Sequence, residues 1–222
     1  MSANAPTAHR TPHSSQRPRP NRFFRIAAGL LTLVSGAALV GLAPEPDPVP
    51  RRWQLDVQPG TLRLATVEVP NVGKRMFLYL DYTVVNNSGQ DLLFAPAFEL
   101  ANGEGEIFRS GRDVPQSVTE TIVASLQNSF AEDQIEIIGT LLQGRENGKD
   151  GVVIWPVTDT NPERLTIYAA GFSGETATVE APKSDHRFVL RKTLRLDFDT
   201  PGDLVGERSA EIPLREKSWI MR

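Results

Sequence analysis

The side chains best suited to chemistry are one histidine, one serine and scattered carboxylates. His186 follows Asp185 in a charged segment and would be a general base if a nucleophile lay nearby. Ser173, in the segment GFSGE at 171–175, is the closest match to a nucleophile. That segment lacks the second glycine of a nucleophile elbow at the required place, so we interpret it as a turn between strands.

Two groups of acidic residues offer the oxygen ligands that calcium prefers. They are Glu132, Asp133 and Glu136, and Asp197, Asp199 and Asp203. Neither group has the spacing of an EF-hand loop, and solvated edge charges explain Asp197 and Asp199 equally well. We therefore predict no metal site.

Residues 144–150 have a partial likeness to a phosphate-binding loop. Three residues separate their glycines where that loop has four, and Asp150 stands where a magnesium-binding hydroxyl belongs. We interpret the segment as a hairpin loop. The sequence thus predicts no catalytic residue and no cofactor, and we expect that the protein is not an enzyme.

Three arginines form the most distinctive charge pattern of the C-terminal region. Arg187, Arg191 and Arg195 are spaced by four, and even spacings place them on one face of a strand. Such a face can contact an anionic surface, either lipid headgroups or an acidic partner. The alternative is an edge strand whose charges prevent pairing with another chain.

Charge is distributed unevenly along the chain. The 222 residues carry 24 Lys and Arg against 27 Asp and Glu, a net charge of -3 that argues against a nucleic-acid-binding protein. Residues 1–25 nevertheless contain five arginines and no acidic residue, which predicts a disordered basic cytoplasmic tail. Cysteine is absent, which excludes disulfides and thiolate chemistry.

A continuous apolar segment follows this tail. Ile26 to Ala43 has no charged residue, and its 18 residues would span roughly 27 Å as a helix, the thickness of a hydrocarbon core. The arginines of the tail outnumber Arg51 and Arg52 on the far side. This bias predicts a single-pass transmembrane helix in the inner (cytoplasmic) membrane, with the N-terminus cytoplasmic and the following domain periplasmic or otherwise extracytoplasmic.

Two other interpretations of the apolar segment stay open. The small residues at 35–38 have the spacing of a signal-peptide cleavage site, and cleavage there would release a secreted domain. The apolar run continues past them to Ala43, where Pro44 would block cleavage. A buried core helix is the other interpretation, although the basic flank and the lack of polar periodicity disfavour it.

The rest of the chain has the pattern of a spacer followed by strands. Residues 44–52 are rich in alternating prolines and predict a stiff spacer, and residues 53–222 show short period-two segments typical of a β domain. One such segment, Trp53 to Gln58, is followed by a predicted turn at Pro59 and Gly60. The strongest strand is predicted from Met76 to Val85, in a central position. One face is expected to carry Phe77, Tyr79, Asp81 and Thr83, and the other Met76, Leu78, Leu80, Tyr82 and Val84.

One helix is predicted to interrupt the strands. Apolar residues recur every four positions between Asp113 and Asn128, as in an amphipathic helix. Its start would be capped by Asp113 ahead of Pro115, or by the pair Ser117 and Glu120. We therefore predict a mainly β fold, an immunoglobulin-like β-sandwich with one inserted amphipathic helix, preceded by a single transmembrane helix.

The order of turns and core segments resembles bacterial immunoglobulin-like domains of unknown function from anchored and secreted envelope proteins. The segments are NNSG at 86–89, NGE at 102–104, LQGRE at 142–146 and GVVIWP at 151–156. The resemblance covers about residues 75–172 and departs from the family pattern at Gln143, where proline is usual, and at the inserted helix. The whole chain also resembles an uncharacterised bacterial membrane-anchored family. The resemblance implies an architecture and no activity.

An anchor, a spacer and a domain without a predicted active site together favour a membrane-tethered, extracytoplasmic protein-interaction module. The expected partners are the lipid bilayer, through Ile26 to Ala43, and another envelope protein. The alternatives are a self-associating structural envelope protein and a cleaved, secreted binding domain.

The predicted anchor can be tested by fractionation. We expect the full chain to stay with membranes through an alkaline carbonate wash and to keep an intact N-terminus by mass measurement, because the apolar segment is long enough to span a bilayer. A soluble product that begins near residue 38 would contradict this.

Overall fold

The computed structural model describes residues 52–180, 186–200, 202–204 and 211–222, which belong to one compact unit from Arg51 to Arg222. The predicted tail, the predicted span from Ile26 to Ala43 and nearly all of the spacer lie outside the described residues. Among the residues that are described, no helix is long and apolar enough to cross a membrane. The described chain is mainly β.

The described elements are thirteen strands, one α-helix and one short 3-10 helix. In chain order they are β1 (Asp56–Val69), β2 (Gly73–Val85), β3 (Leu92–Phe94), β4 (Ala97–Asn102), β5 (Ile107–Arg109), α1 (Gln116–Ser125), β6 (Ala131–Glu132), β7 (Gly139–Leu141), the 3-10 helix (Arg145–Asn147), β8 (Lys149–Pro156), β9 (Leu165–Ala170), β10 (Thr176–Glu180), β11 (Arg187–Phe198), β12 (Glu211–Ile212) and β13 (Leu214–Met221).

These strands form two larger sheets and a ribbon. The five-stranded sheet has the order β12-β1-β2-β8-β6. The six-stranded sheet has the order β10-β11-β9-β4-β5, with β13 also paired to β11. The two-stranded β3–β7 ribbon is separate from both.

β1 and β2 form a long antiparallel hairpin at the centre of the five-stranded sheet. The predicted turn at Pro59 and Gly60 is wrong, because β1 continues through these residues to Val69. The register between the two strands shifts between Pro59 and Leu62, so this part of the ladder is irregular. Proline lacks an N–H and glycine lacks a side chain, and both are therefore tolerated at a bulge as readily as in a turn.

β2 lies between β1 and β8, and its predicted central position is confirmed. The predicted alternation of its side chains is also confirmed. Leu78, Leu80 and Tyr82 are buried in the main core, whereas Phe77 is buried in a second, smaller core. The strand is therefore covered on both faces over its apolar half.

The main core takes side chains from both larger sheets. Leu80 of one sheet and Leu196 of the other belong to the same buried cluster and are 0% and 1% exposed. Aromatic rings pack together within it, with ring centroids 4.9 Å apart for Tyr82 and Phe98, and 5.6 Å apart for Phe98 and Phe172. Tilted and edge-on ring pairs of this kind add to the stabilisation that burial alone provides.

α1 covers the outer face of the five-stranded sheet. Val118 and Ile122 are 0% and 1% exposed and pack with Val67, Phe77 and Ile154 in the second core. The predicted amphipathic stripe is therefore confirmed. Its four-residue spacing places these side chains on the one face of the helix that meets the sheet.

The predicted caps of this helix are wrong. Pro115, in an extended conformation, precedes the first turn, and no side chain caps it with a hydrogen bond. A proline here costs little because the first N–H groups of a helix have no intrahelical partner.

Gly151 in β8 provides the space that the ring of Tyr82 and the side chain of Ile137 occupy. A β-carbon at this position would lie 2.4 Å from the Tyr82 ring and 2.6 Å from Ile137 Cδ1. We expect Gly151→Ala to lower the free energy of unfolding by about 1–3 kcal/mol through overpacking, as measured by chemical denaturation.

Gly139→Ala is the matched control, since no atom lies within 4 Å of the added carbon. Its free energy of unfolding should stay within about 0.5 kcal/mol of the parent value. Equal losses in the two variants would show that packing against Tyr82 is not the cause.

Candidate functional site

Ser173 has a structural role at the start of the domain. Its hydroxyl donates a hydrogen bond to the carbonyl of Trp53 at 3.0 Å and accepts one from the N–H of Glu175 at 3.1 Å. The hydroxyl thus joins the first residues of the domain to the segment between β9 and β10. His186 lies on the surface directly before β11.

The two acidic groups considered as calcium ligands are divided among separate contacts. Glu132 pairs with Lys149 Nζ at 2.8 Å, and Asp133 Oδ1 accepts the N–H of Ile135 at 2.7 Å. Asp197 is 1% exposed and accepts a hydrogen bond from Thr166 Oγ1 at 2.7 Å. Within residues 52–180, 186–200, 202–204 and 211–222, no group of three or more candidate ligands could hold a metal ion.

The segment 144–150 is not a hairpin loop. β7 pairs with β3, and β8 pairs with β2, so the segment connects the β3–β7 ribbon to the five-stranded sheet. It contains the 3-10 helix and begins at Gly144, whose φ of 98° favours glycine.

A polar groove crosses the outer face of the five-stranded sheet beside α1. Two cavities of about 380 and 390 Å³ share Thr83 and Asp150 in their walls. Asp150 accepts hydrogen bonds from Thr83 Oγ1 at 2.6 Å and from Asn128 Nδ2 at 2.9 Å. The Asp150 carboxylate therefore has hydrogen-bond donors from within the domain. Its bond to Asn128 holds the loop after α1 against the sheet.

Two tyrosines of β2 border this groove. Burial raises the pKa of Tyr79 above its usual value, and the neighbouring Arg63 only partly offsets that effect. Burial also raises the pKa of Tyr82, with a smaller contribution from Glu132. Both phenols are therefore neutral at physiological pH. The Tyr79 ring lies on the face of the groove, whereas the Tyr82 ring lies in the main core against Phe98 and Phe172.

The three arginines predicted to contact an anionic surface all lie on β11, in different surroundings. Arg187 pairs with Glu180 at 3.2 Å on the surface, and Arg195 pairs with the buried Asp197 at 3.0 Å. Arg191 is exposed. Among the described residues, β11 is paired with both β9 and β13 around Arg195, whereas around Arg187 it is paired only with β10. The alternative of a charged edge strand therefore stays open for Arg187 and does not apply to Arg195.

The β3–β7 ribbon presents an apolar surface that no sequence motif indicated. Leu92 and Leu141 pair on the face that is buried in the main core, whereas Leu93 pairs with Thr140 on the opposite face. Leu93 is 76% exposed, and Leu142, which follows β7, is 46% exposed.

Two further apolar side chains are exposed in the turn before β7. Ile135 and Ile138 are 69% and 48% exposed and line a cavity of about 390 Å³ together with Pro96 and Ala97. We use the name ribbon surface for the four exposed side chains Leu93, Ile135, Ile138 and Leu142. A sequence signal for it exists in hindsight, since Leu92, Leu93 and Phe94 are apolar without alternation.

In comparisons with known proteins, no family model, no curated protein and no solved structure matches the chain. The described residues therefore define the protein by class, as a mainly β protein with two larger sheets and one covering helix.

The unequal surroundings of the arginines give a direct test of their roles. We expect Arg195→Ala to lower the free energy of unfolding by about 2 kcal/mol, because it leaves the buried Asp197 without its counter-charge. Arg191→Ala should change it by less than about 0.5 kcal/mol, because the side chain is exposed. Urea denaturation of both variants measures the difference, and similar values for the two would contradict a structural role for Arg195.

Proposed function

We propose that this protein is a membrane-tethered, extracytoplasmic interaction module whose immunoglobulin-like β domain binds another protein of the cell envelope. The observation that carries the proposal is the ribbon surface, where four large aliphatic side chains are exposed within one short stretch of structure. Groups of exposed large apolar side chains are typical of binding sites.

The fold does not require these side chains to be apolar. Leu92, Phe94 and Leu141 already bury the inner face of the ribbon in the main core. Leaving a large aliphatic side chain in water forgoes about 1.5–3 kcal/mol that burial would provide. A partner that covers the ribbon surface would recover that free energy.

The neighbouring residues specify the chemistry of the partner. Asp91 and Glu136 are exposed beside the ribbon surface, and Asp91 is held in place by the N–H of Gln143 at 3.1 Å. We infer that the partner contributes an apolar patch with a basic margin. The cavity beside Ile135 and Ile138 is large enough to receive an apolar side chain of the partner.

The tether and the domain type rest on further observations. The uncharged segment from Ile26 to Ala43 and the arginines before it support a single membrane span with the domain outside. The core that both larger sheets share supports a sandwich arrangement. The immunoglobulin-like assignment rests on the resemblance of residues 75–172.

Site-specific photo-crosslinking in the native cell tests the proposal. A photoreactive amino acid at position 93 of the full chain should form an adduct with one reproducible envelope protein, because Leu93 is the most exposed side chain of the ribbon surface. Adding Ile138→Asp should reduce that adduct at least several-fold, since a charge beside the cavity cannot be buried against an apolar patch.

Position 72 supplies the control, because Val72 is 56% exposed and lies in the β1–β2 turn. An adduct with the mass of two copies of the chain would support self-association instead. Crosslinking at position 93 no stronger than at position 72 would overturn the proposal.

A further inference from the structure

β10 and the first residues of β11 form an arm that extends beyond the six-stranded sheet. Thr176–Glu180 pairs with Arg187–Arg191. Among the described residues, the other neighbours of β11 join it closer to the sheet. The backbones of Arg191 and Arg222 bond to each other at 2.7 and 3.0 Å, β13 pairs from Lys192, and β9 pairs from Leu194. The outer part of the arm is therefore two strands wide.

One face of the arm is apolar and uncovered. Val179 pairs with Phe188, and Ala177 pairs with Leu190 on the same face. Val179 and Phe188, farthest from the sheet, are 41% and 55% exposed. Val189, on the other face, is 63% exposed. Large apolar side chains are therefore exposed on both faces near the free end.

Basic side chains accompany these apolar residues. Arg187 lies beside Phe188, and Arg191 lies closer to the sheet on the face that carries Val189. Arg187 pairs with Glu180, but both side chains are more than 70% exposed, and such a pair contributes little and exchanges partners readily. Arg52, 70% exposed, lies at the base of the arm, where it contacts Glu175 at 3.5 Å.

The first described residues run alongside the base of the arm. Gln54 forms an antiparallel bridge with Ser173, and the N–H of Gly174 bonds to the carbonyl of Trp53 at 3.0 Å. Arg52 and Trp53 therefore lie beside Gly174 and Glu175, at the base of the arm.

We propose that this arm is a second membrane contact, in which Val179, Phe188 and Val189 enter the interfacial layer of an anionic phospholipid bilayer while Arg187 and Arg191 bind lipid phosphates. The inference rests on the membrane tether of the proposed function and is independent of the ribbon surface. Exposed apolar side chains together with arginines are the combination by which proteins bind an anionic membrane interface.

The dimensions of the chain permit this contact. The spacer at 44–52 extends to about 28 Å at most if its prolines keep it stretched. The five paired residues of β10 extend roughly 17 Å from the sheet. The length of the arm is therefore comparable with the greatest length of the spacer.

A lipid surface fits the arm better than the partner proposed for the ribbon surface. The partner of the ribbon surface faces acidic residues, so basic residues should surround its apolar patch. The arm carries arginines, so its partner should be anionic. Anionic lipid supplies negative charge and an apolar layer together.

Fluorescence quenching on the reconstituted full chain tests the contact. The chain has no cysteine, so Phe188→Cys and Val72→Cys each give one labelling site, with similar exposure of 55% and 56% in the parent. Val72 lies at the opposite end of β1 from the incoming chain. With a lipid-borne quencher in phosphatidylglycerol-containing vesicles, the label at 188 should be quenched several-fold more than the label at 72.

Two further measurements separate the parts of the proposal. Arg187→Gln with Arg191→Gln should lower quenching at 188 in anionic vesicles several-fold, to the low value that purely phosphatidylcholine vesicles give. Equal quenching at 188 and 72, or equal quenching in both vesicle types, would overturn it. Vesicle flotation gives the separate readout, since a chain that fails to float refutes the tether, and a floating chain with an unquenched arm refutes the arm contact alone.

Discussion

The fold depends on the burial of β2 on both faces. Leu80 and its even-numbered neighbours enter the core that the two larger sheets share, and Phe77 enters the core beneath α1. A slip of one residue would bring Asp81 and Thr83 into the main core, so the register of the hairpin with β1 is tightly fixed. α1 covers the apolar half of the outer face, and the polar groove occupies the remainder.

The sequence predicted those elements whose signals are local. The alternation in β2 and the four-residue stripe of α1 depend only on which neighbours along the chain share a face, and both were right. The turn predicted at Pro59 and Gly60 was wrong because a β-bulge and a turn both accept a residue without a backbone N–H and a residue without a side chain. The strand β10 was missed because its sequence TATVE has too few large apolar residues to give a clear period.

The ribbon surface was not predictable for a different reason. An uninterrupted run such as Leu92, Leu93 and Phe94 fits a strand that is covered on both faces. Only the pairing of β3 with β7, which follows it by more than forty residues, shows that nothing in the described chain covers Leu93. The ion pair of Arg195 with Asp197 was hidden in the same way, because the sequence does not show that Asp197 is buried.

β11 runs from Arg187 to Phe198 without a glycine or a proline, and its first residues belong to the arm while its last belong to the core. A pull on the arm along this strand would load the hydrogen bonds to β9 and β13 together, in shear, instead of breaking them one after another. The arm and the sheet are therefore joined by one continuous strand, with no glycine or proline at which the strand could bend easily. Whatever holds its free end also sets the tilt of the whole six-stranded sheet.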